Sequence, residues 1–201
     1  VTATHGTLTQ NPDGSWTFTP AADFNGVVDL DYTISDGRGG GVQGDAQLAI
    51  TAVNDAPANS GAVTLSGGTE DTQKIIAIAD LVANASDVDV DTLTISAISA
   101  DHGSATVSGG NVIFTPDANY NGAVTFTYTV NDGHGGTIPG SATLTLTAVN
   151  DAPTNSGAVT LTAGTQNVAG TFTLASLVAN ATDVDGDSLT ASSITADHGT
   201  V

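Results

Sequence analysis

The chain has 201 residues, with 21 acids against two bases (Arg38 and Lys74), a formal net charge of −19, and neither cysteine nor methionine. So negative a chain cannot neutralise phosphates or settle on an anionic membrane, which argues against nucleic-acid partners, and its longest strictly apolar run, Ile75 to Ala79, is too short to span a bilayer. Disulfides and thiolate-bound zinc are out of reach, and twenty Asp beside one Glu, with 32 Thr and 24 Gly, point to strands and turns rather than helices.

Repetition sets the order of the elements. Ala52-Val53-Asn54-Asp55-Ala56-Pro57 returns 96 residues later as Ala148-Val149-Asn150-Asp151-Ala152-Pro153. At the same offset Asp87-Val88-Asp89-Val90-Asp91 returns as Asp183-Val184-Asp185-Gly186-Asp187, and Phe18-Thr19-Pro20 as Phe114-Thr115-Pro116. Residues 58–105 and 154–201 share 27 identities in 48 positions. This period is too long for a solenoid unit and suits an autonomous β-sandwich of about 100 residues. With Asn-Asp-Ala-Pro as the joint, residues 1–57 are the second half of one repeat, 58–153 a complete repeat, and 154–201 the first half of a third. The absence of an initiator Met and of a signal peptide reads as a piece of something longer.

The complete repeat predicts seven strands. Val63–Leu65 is the first, continuing toward Glu70, and Lys74–Ile78 is the second. Ala79 to Asn84 then reads as an irregular or short helical turn. Thr92–Ile98 alternates and gives a third strand with one buried face. Ala105–Ser108 and Asn111–Thr115 flank Gly109-Gly110 as a tight hairpin. Val124–Val130 alternates most clearly, and Ser141–Val149 runs into the joint. Seven short strands punctuated by turns predict an all-β protein of tandem Greek-key sandwiches, immunoglobulin-like in type. Leu93, Ile95, Phe114, Phe126, Tyr128, Leu144 and Leu146 are the expected core.

Alternating strand directions bring acids together at each joint. The first set is Asn54, Asp55, Asp87, Asp89 and Asp132, with Asp23 as a further candidate. The second is Glu70, Asn150, Asp151, Asp183 and Asp185, with Asp117 as a further candidate. Solvated turns would account for any single Asp. The sets, with almost no Lys or Arg to pair them, instead suit Ca²⁺, which takes six to eight oxygens in flexible geometry; Mg²⁺ is stricter and holds its water.

Several segments resemble the cadherin Ca²⁺ motifs, and more closely the cadherin-like tandem repeats of giant secreted bacterial adhesins of the RTX, type I-secreted kind. They are Asn150-Asp151-Ala152-Pro153, the Asp-x-Asp of Asp183 and Asp185, Asp36 and Asp132 before glycine, Thr69–Thr72, Asp183–Thr190, His198–Thr200, Phe114–Gly122 and Tyr128–Gly136. The resemblance implies an extracellular extender at a bacterial cell surface, stiffened by Ca²⁺, spacing an adhesive tip from the envelope. The cadherin Leu-Asp-Arg-Glu motif is absent, Val90 stands where Gly is usual, and Gln166-Asn167 replace Glu70-Asp71.

No nucleotide loop, nucleophile elbow or zinc motif appears, and no enzyme is expected. His5, His102 and His198 recur in every repeat and read as turn or packing residues. The alternative to the extender is a module that binds a glycan or a cell-surface protein through its loops. Repeat differences fall mainly in strands and hairpin length, which favours the extender. The expected partners are neighbouring repeats of the same chain, or copies of it joined head to tail through the two half-repeats.

Overall fold

A computed structural model describes residues 1–200; Val201, the end of the third predicted segment, lies outside the described residues. Residues 1–57 hold β1 (Thr2–Ala3), β2 (Gly6–Gln10), β3 (Trp16–Pro20), β4 (Gly26–Ser35) and β5 (Gly41–Ile50). The segment 58–153 opens with β6 (Ala58–Asn59), β7 (Val63–Thr64), β8 (Gly68–Thr69), β9 (Lys74–Ala77), the single-turn α1 (Ile78–Leu81) and β10 (Ala85–Ser86). It continues through β11 (Thr94–Ala100), β12 (Gly103–Ser108), β13 (Asn111–Pro116), β14 (Gly122–Asn131) and β15 (Thr137–Thr147). The last segment carries β16 (Thr154–Asn155), α2 (Leu174–Leu177) and β17 (Ala181–Thr182). The protein is all-β and built of tandem sandwich repeats, and no described helix is long and apolar enough to cross a membrane.

The described residues group into two compact units. One comprises residues 1–63, 78–98 and 127–141; the other comprises 64–77, 99–126 and 142 onward. Strands β11, β14 and β15 thread both, in the sheet order β11-β14-β15-β7, with β8 running parallel to β15 through Leu146↔Gly68.

In the first unit β4 and β5 pair antiparallel from Gly26↔Ile50 to Ser35↔Gly41, β1 adds Thr2↔Asp31, and β2 pairs with β3. Two-residue strands β6 and β10 clip together through Ala85↔Asn59, a pair the sequence does not announce. Tyr128 donates its hydroxyl to the Leu81 carbonyl at 2.6 Å, fastening α1 to β14. A Cβ at Gly140 would run into the Tyr128 ring, so glycine is required beneath it.

In the second unit β12 and β13 form the predicted hairpin, with Ser108↔Asn111 closing over Gly109-Gly110 and Gly109 at φ 59°. β9 pairs with the far side of β13, Ile76 opposite Val112. Phe114 and Phe126 meet edge to face, ring centroids 4.9 Å apart, and with Ile76, Val112, Val124, Leu144 and Leu146 they are buried. Of the expected core only Leu93 is half-buried. The predicted third strand lies two residues further along, and Ala97 within it takes φ 50°, a local break in the alternation.

Candidate metal sites at the linkers

The Asp87–Asp91 loop turns back on its own first residue. Asp87 Oδ1 accepts the backbone N–H of Asp89 at 2.8 Å and that of Asp91 at 3.5 Å. Val90 takes φ 64° to allow this, matching its counterpart Gly186 at φ 77°. The loop bends as a glycine loop does, despite the β-branched side chain.

Asp132, 2 % exposed, closes the loop after β14 in the same way. Its carboxylate accepts the N–H groups of His134 at 2.7 Å and Gly136 at 3.0 Å, and the Asn54 side-chain amide at 2.9 Å. The Asn54 amide and these backbone donors, against some desolvation, hold the Asp132 carboxyl below its ordinary value. A Cβ at Gly136 would strike the Asp132 carboxylate and lie 2.8 Å from the Ala56 Cα, so the close approach excludes any side chain. Asp87, Asp91 and Asp132 thereby bring carboxylate oxygens within 4.8 Å of one another. His134 Nδ1 lies 3.0 Å from Asp91 Oδ2.

The linker is tied to this loop. Asp55 donates its backbone N–H to Asp89 Oδ2 at 2.8 Å. Asp23, Asp55 and Asp89 line one pocket, with Phe24 and Ile50 in its wall.

The second site repeats the linker geometry. Asp151 donates its N–H to Asp185 Oδ2 at 2.7 Å, and Asp183 Oδ1 accepts from Asp185 at 3.0 Å and Asp187 at 3.2 Å. Glu70, 1 % exposed, accepts the Val149 N–H at 2.6 Å and the Asn121 amide at 3.2 Å. Glu70, Asp151 and Asp185 again place oxygens within 4.8 Å of one another. Desolvation first, then the charges of Asp71, Asp185, Glu70 and Asp183, raises the Asp151 carboxyl above its ordinary value.

Each site also contains a buried carboxylate oxygen without a hydrogen-bond partner, Asp87 Oδ2 in the first and Asp151 Oδ2 in the second. Neither base of the chain answers them. Lys74 bonds the Gly67 carbonyl and Ser66, and Arg38 belongs to the loop between β4 and β5. Orphaned buried oxygens among all-oxygen donors suit a hard divalent cation.

Asp183 lines a pocket with Asp151 and Asn119, while Asn150 bonds the Asp151 carbonyl. Asp117 is exposed, belongs to neither three-carboxylate group, and offers its carbonyl to the Tyr120 N–H. Sequence reasoning passed over Asp91, the third Asp of its own motif. It also passed over Asp71, whose carboxylate accepts the Asn119 N–H at 2.9 Å, and Asn121, which holds Glu70. His102 stacks on Tyr120 at 3.7 Å and His5 on Phe24 at 4.4 Å, a packing role in both repeats.

Tandem β-sandwich repeats whose linker residues bond to acidic loops define a class of modular, tandemly repeated domains. The chain belongs to the cadherin-like domain family, which matches residues 1–51, 53–147 and 149–201. No curated protein matches it. Among solved structures it is similar to human mucin-like protocadherin EC1-2, at 18% identity over 73% of this chain and 81% of that one, TM-score 0.48. It is also similar to an endo-fucoidan hydrolase of glycoside hydrolase family 107, at 21% identity over 71% of this chain and 26% of that one, TM-score 0.33. Sidekick-1 immunoglobulin domains 1–5 match at 18% identity over 71% of this chain and 29% of that one, TM-score 0.29.

Proposed function

We propose that this chain is a Ca²⁺-stiffened extender of a large bacterial cell-surface adhesin, non-enzymatic and extracellular, spacing an adhesive tip from the envelope. The observation that carries the reading is the pair of orphaned buried oxygens, Asp87 Oδ2 and Asp151 Oδ2, each among all-oxygen donors joined to an Asn-Asp linker. Asp87, Asp91 and Asp132 would hold one ion beside Asn54; Glu70, Asp151 and Asp185 would hold another beside Asp71 and Asp183. Asp55 and Asp89, with Asp23 across their pocket, form the linker contact of the first site. The ion supplies cross-linking: it ties loops far apart in sequence to the linker and offsets carboxylate repulsion. Calorimetric titration with Ca²⁺ is expected to show saturable binding. The double variant Asp87→Ala with Asp89→Ala should lower both the stoichiometry and the thermal stabilisation by Ca²⁺. Unchanged stoichiometry and melting in that variant would defeat the assignment. A glycan array on the same chain separates the extender from a ligand-binding module, because reproducible capture of one glycan class would reverse the reading.

A further inference from the structure

The strands that lead into segment 58–153 lie beside the strand that leaves it. β7 and β8 follow the Asn54–Pro57 linker, β15 runs out toward the Asn150–Pro153 linker, and β15 pairs with both. The paired residues advance in the same direction along the chain. Leu65 donates its N–H to the Thr143 carbonyl at 2.8 Å, Gly68 stands opposite Leu146 in a parallel register, and Glu70 donates its N–H to the Thr147 carbonyl at 3.1 Å.

Parallel pairing of an entering with a leaving strand fixes how tension acts on them. Pull from the preceding linker draws residues 65–70 backward along their axis, and pull from the following linker draws residues 143–147 forward. The two stretches are sheared, so the evenly spaced bonds of the parallel ladder share the load and give way together. An antiparallel pair in the same place would have both pulled ends at one end of the ladder and would open one bond at a time.

Side chains lengthen and tighten the ladder. Thr147 donates its hydroxyl to the Gly68 carbonyl at 3.2 Å. Glu70, 1 % exposed, accepts the Val149 N–H at 2.6 Å, so a charge-assisted bond carries the pairing beyond the end of β15. Asn121 steadies the other Glu70 oxygen at 3.2 Å. Leu65 and Leu146 are buried along the same stretch, and the backbones approach so closely that a Cβ at Gly67 would lie 2.9 Å from the Thr145 carbonyl oxygen.

We propose that the parallel pairing of residues 65–70 with 143–149 is a force-bearing clamp, the element that keeps segment 58–153 folded while tension passes from one linker to the next. It goes beyond the extender reading by assigning the load to particular bonds. The clamp needs no ion, so it stands or falls apart from the Ca²⁺ reading.

The test is single-molecule force spectroscopy on the 201-residue chain in chelator. Handles at the two chain ends load the clamp in shear. The chain has no cysteine, so Thr137→Cys, an exposed position at the start of β15, supplies a unique thiol for a second geometry. Pulling from that thiol and from the N-terminal end peels residues 65–70 from β15 bond by bond. Forced unfolding follows the unfolding rate, and bonds that must break together are expected to need roughly twofold more force than bonds that break in turn. Gly67→Val, which drives a side chain against the Thr145 carbonyl, should lower the end-to-end force by a larger fraction than the peeling force. Glu70→Gln, which takes the charge from the Val149 bond, should do the same. Equal forces in the two geometries would overturn the proposal, and so would variants that lower both forces by the same fraction, as a general loss of stability does. The comparison of geometries uses the native clamp, so it decides the matter even where a variant fails to fold.

Discussion

Val90 bears the clearest cost of any residue in the acidic loops. A β-branched side chain at φ 64° is strained by roughly 1–2 kcal/mol, and glycine at that place gives back about 0.5–1 kcal/mol as chain entropy. Val90→Gly, copying Gly186, is therefore expected to stabilise the chain by roughly 0.5–1 kcal/mol, read from the denaturation midpoint, and to tighten Ca²⁺. A loss of stability would mean that the exposed valine has a partner the loop geometry does not explain. Asp151 and Asp132 titrate with opposite signs. Asp132 is held below its unfolded value of about 3.9, so its contribution is complete above that pH and vanishes as the pH falls through the folded value. Asp151 lies above its unfolded value, so its ionised form disfavours the folded state as the pH rises past the ordinary carboxyl range. Asp151→Asn should raise the melting temperature at pH 7 in chelator and lower it in Ca²⁺. The reversal of sign between the two buffers is the outcome that distinguishes a metal ligand from a merely strained carboxylate.

At the scale of elements, legibility followed hydrogen-bond locality. The β12–β13 hairpin needed only Gly109-Gly110 between two alternating runs, and β14 only its Val, Phe and Tyr alternation. Ala97 at φ 50°, mirrored by Ser193 at φ 55°, breaks the alternation of β11 with residues that carry no turn signature, which moved that strand by two. The β6–β10 clip is two residues on each side and has no period to detect. Within the sites, repetition exposed Asp55, Asp89, Asp151 and Asp185, whose bonds recur at the repeat offset. Asp91, Asp71 and Asn121 were hidden because their roles depend on which loop lies opposite, a tertiary fact. The fastening of α1 to β14 is tertiary as well, and it can be measured. Tyr128→Phe leaves the buried Leu81 carbonyl without its 2.6 Å donor and should cost about 1–3 kcal/mol. Gly140→Ala forces the same ring aside and should cost about 1–3 kcal/mol through overpacking. Both are read as a lower denaturation midpoint at unchanged slope. If Gly140→Ala were neutral while Tyr128→Phe was costly, the ring would have room to shift and the glycine would have another cause.

For the whole molecule, the apolar core and the carboxylates occupy different places. Phe114, Val124 and Phe126 are fully buried among side chains of the strands, whereas the metal candidates sit in loops and on the Asn-Asp-Ala-Pro linkers. Removing a ligand from the loops withdraws its binding energy by mass action, but it opens no cavity among those rings. What it does release is repulsion, because Asp151 already feels Asp71, Asp185, Glu70 and Asp183 with no base nearby. Chelation is therefore expected to loosen the linkers before it unfolds a repeat. In a multi-repeat array, small-angle scattering should show a shorter maximum dimension in chelator than in Ca²⁺, while circular dichroism keeps its β signature. Raising the ionic strength in chelator should moderate the change, since exposed like charges are screened beyond about 10 Å at 0.1 M salt. A scattering profile that is the same with and without Ca²⁺ would rule out stiffening as the role of the ion, even if calorimetry showed the ion to bind. Loss of the β signature on chelation would place the metal in the folding of each repeat instead.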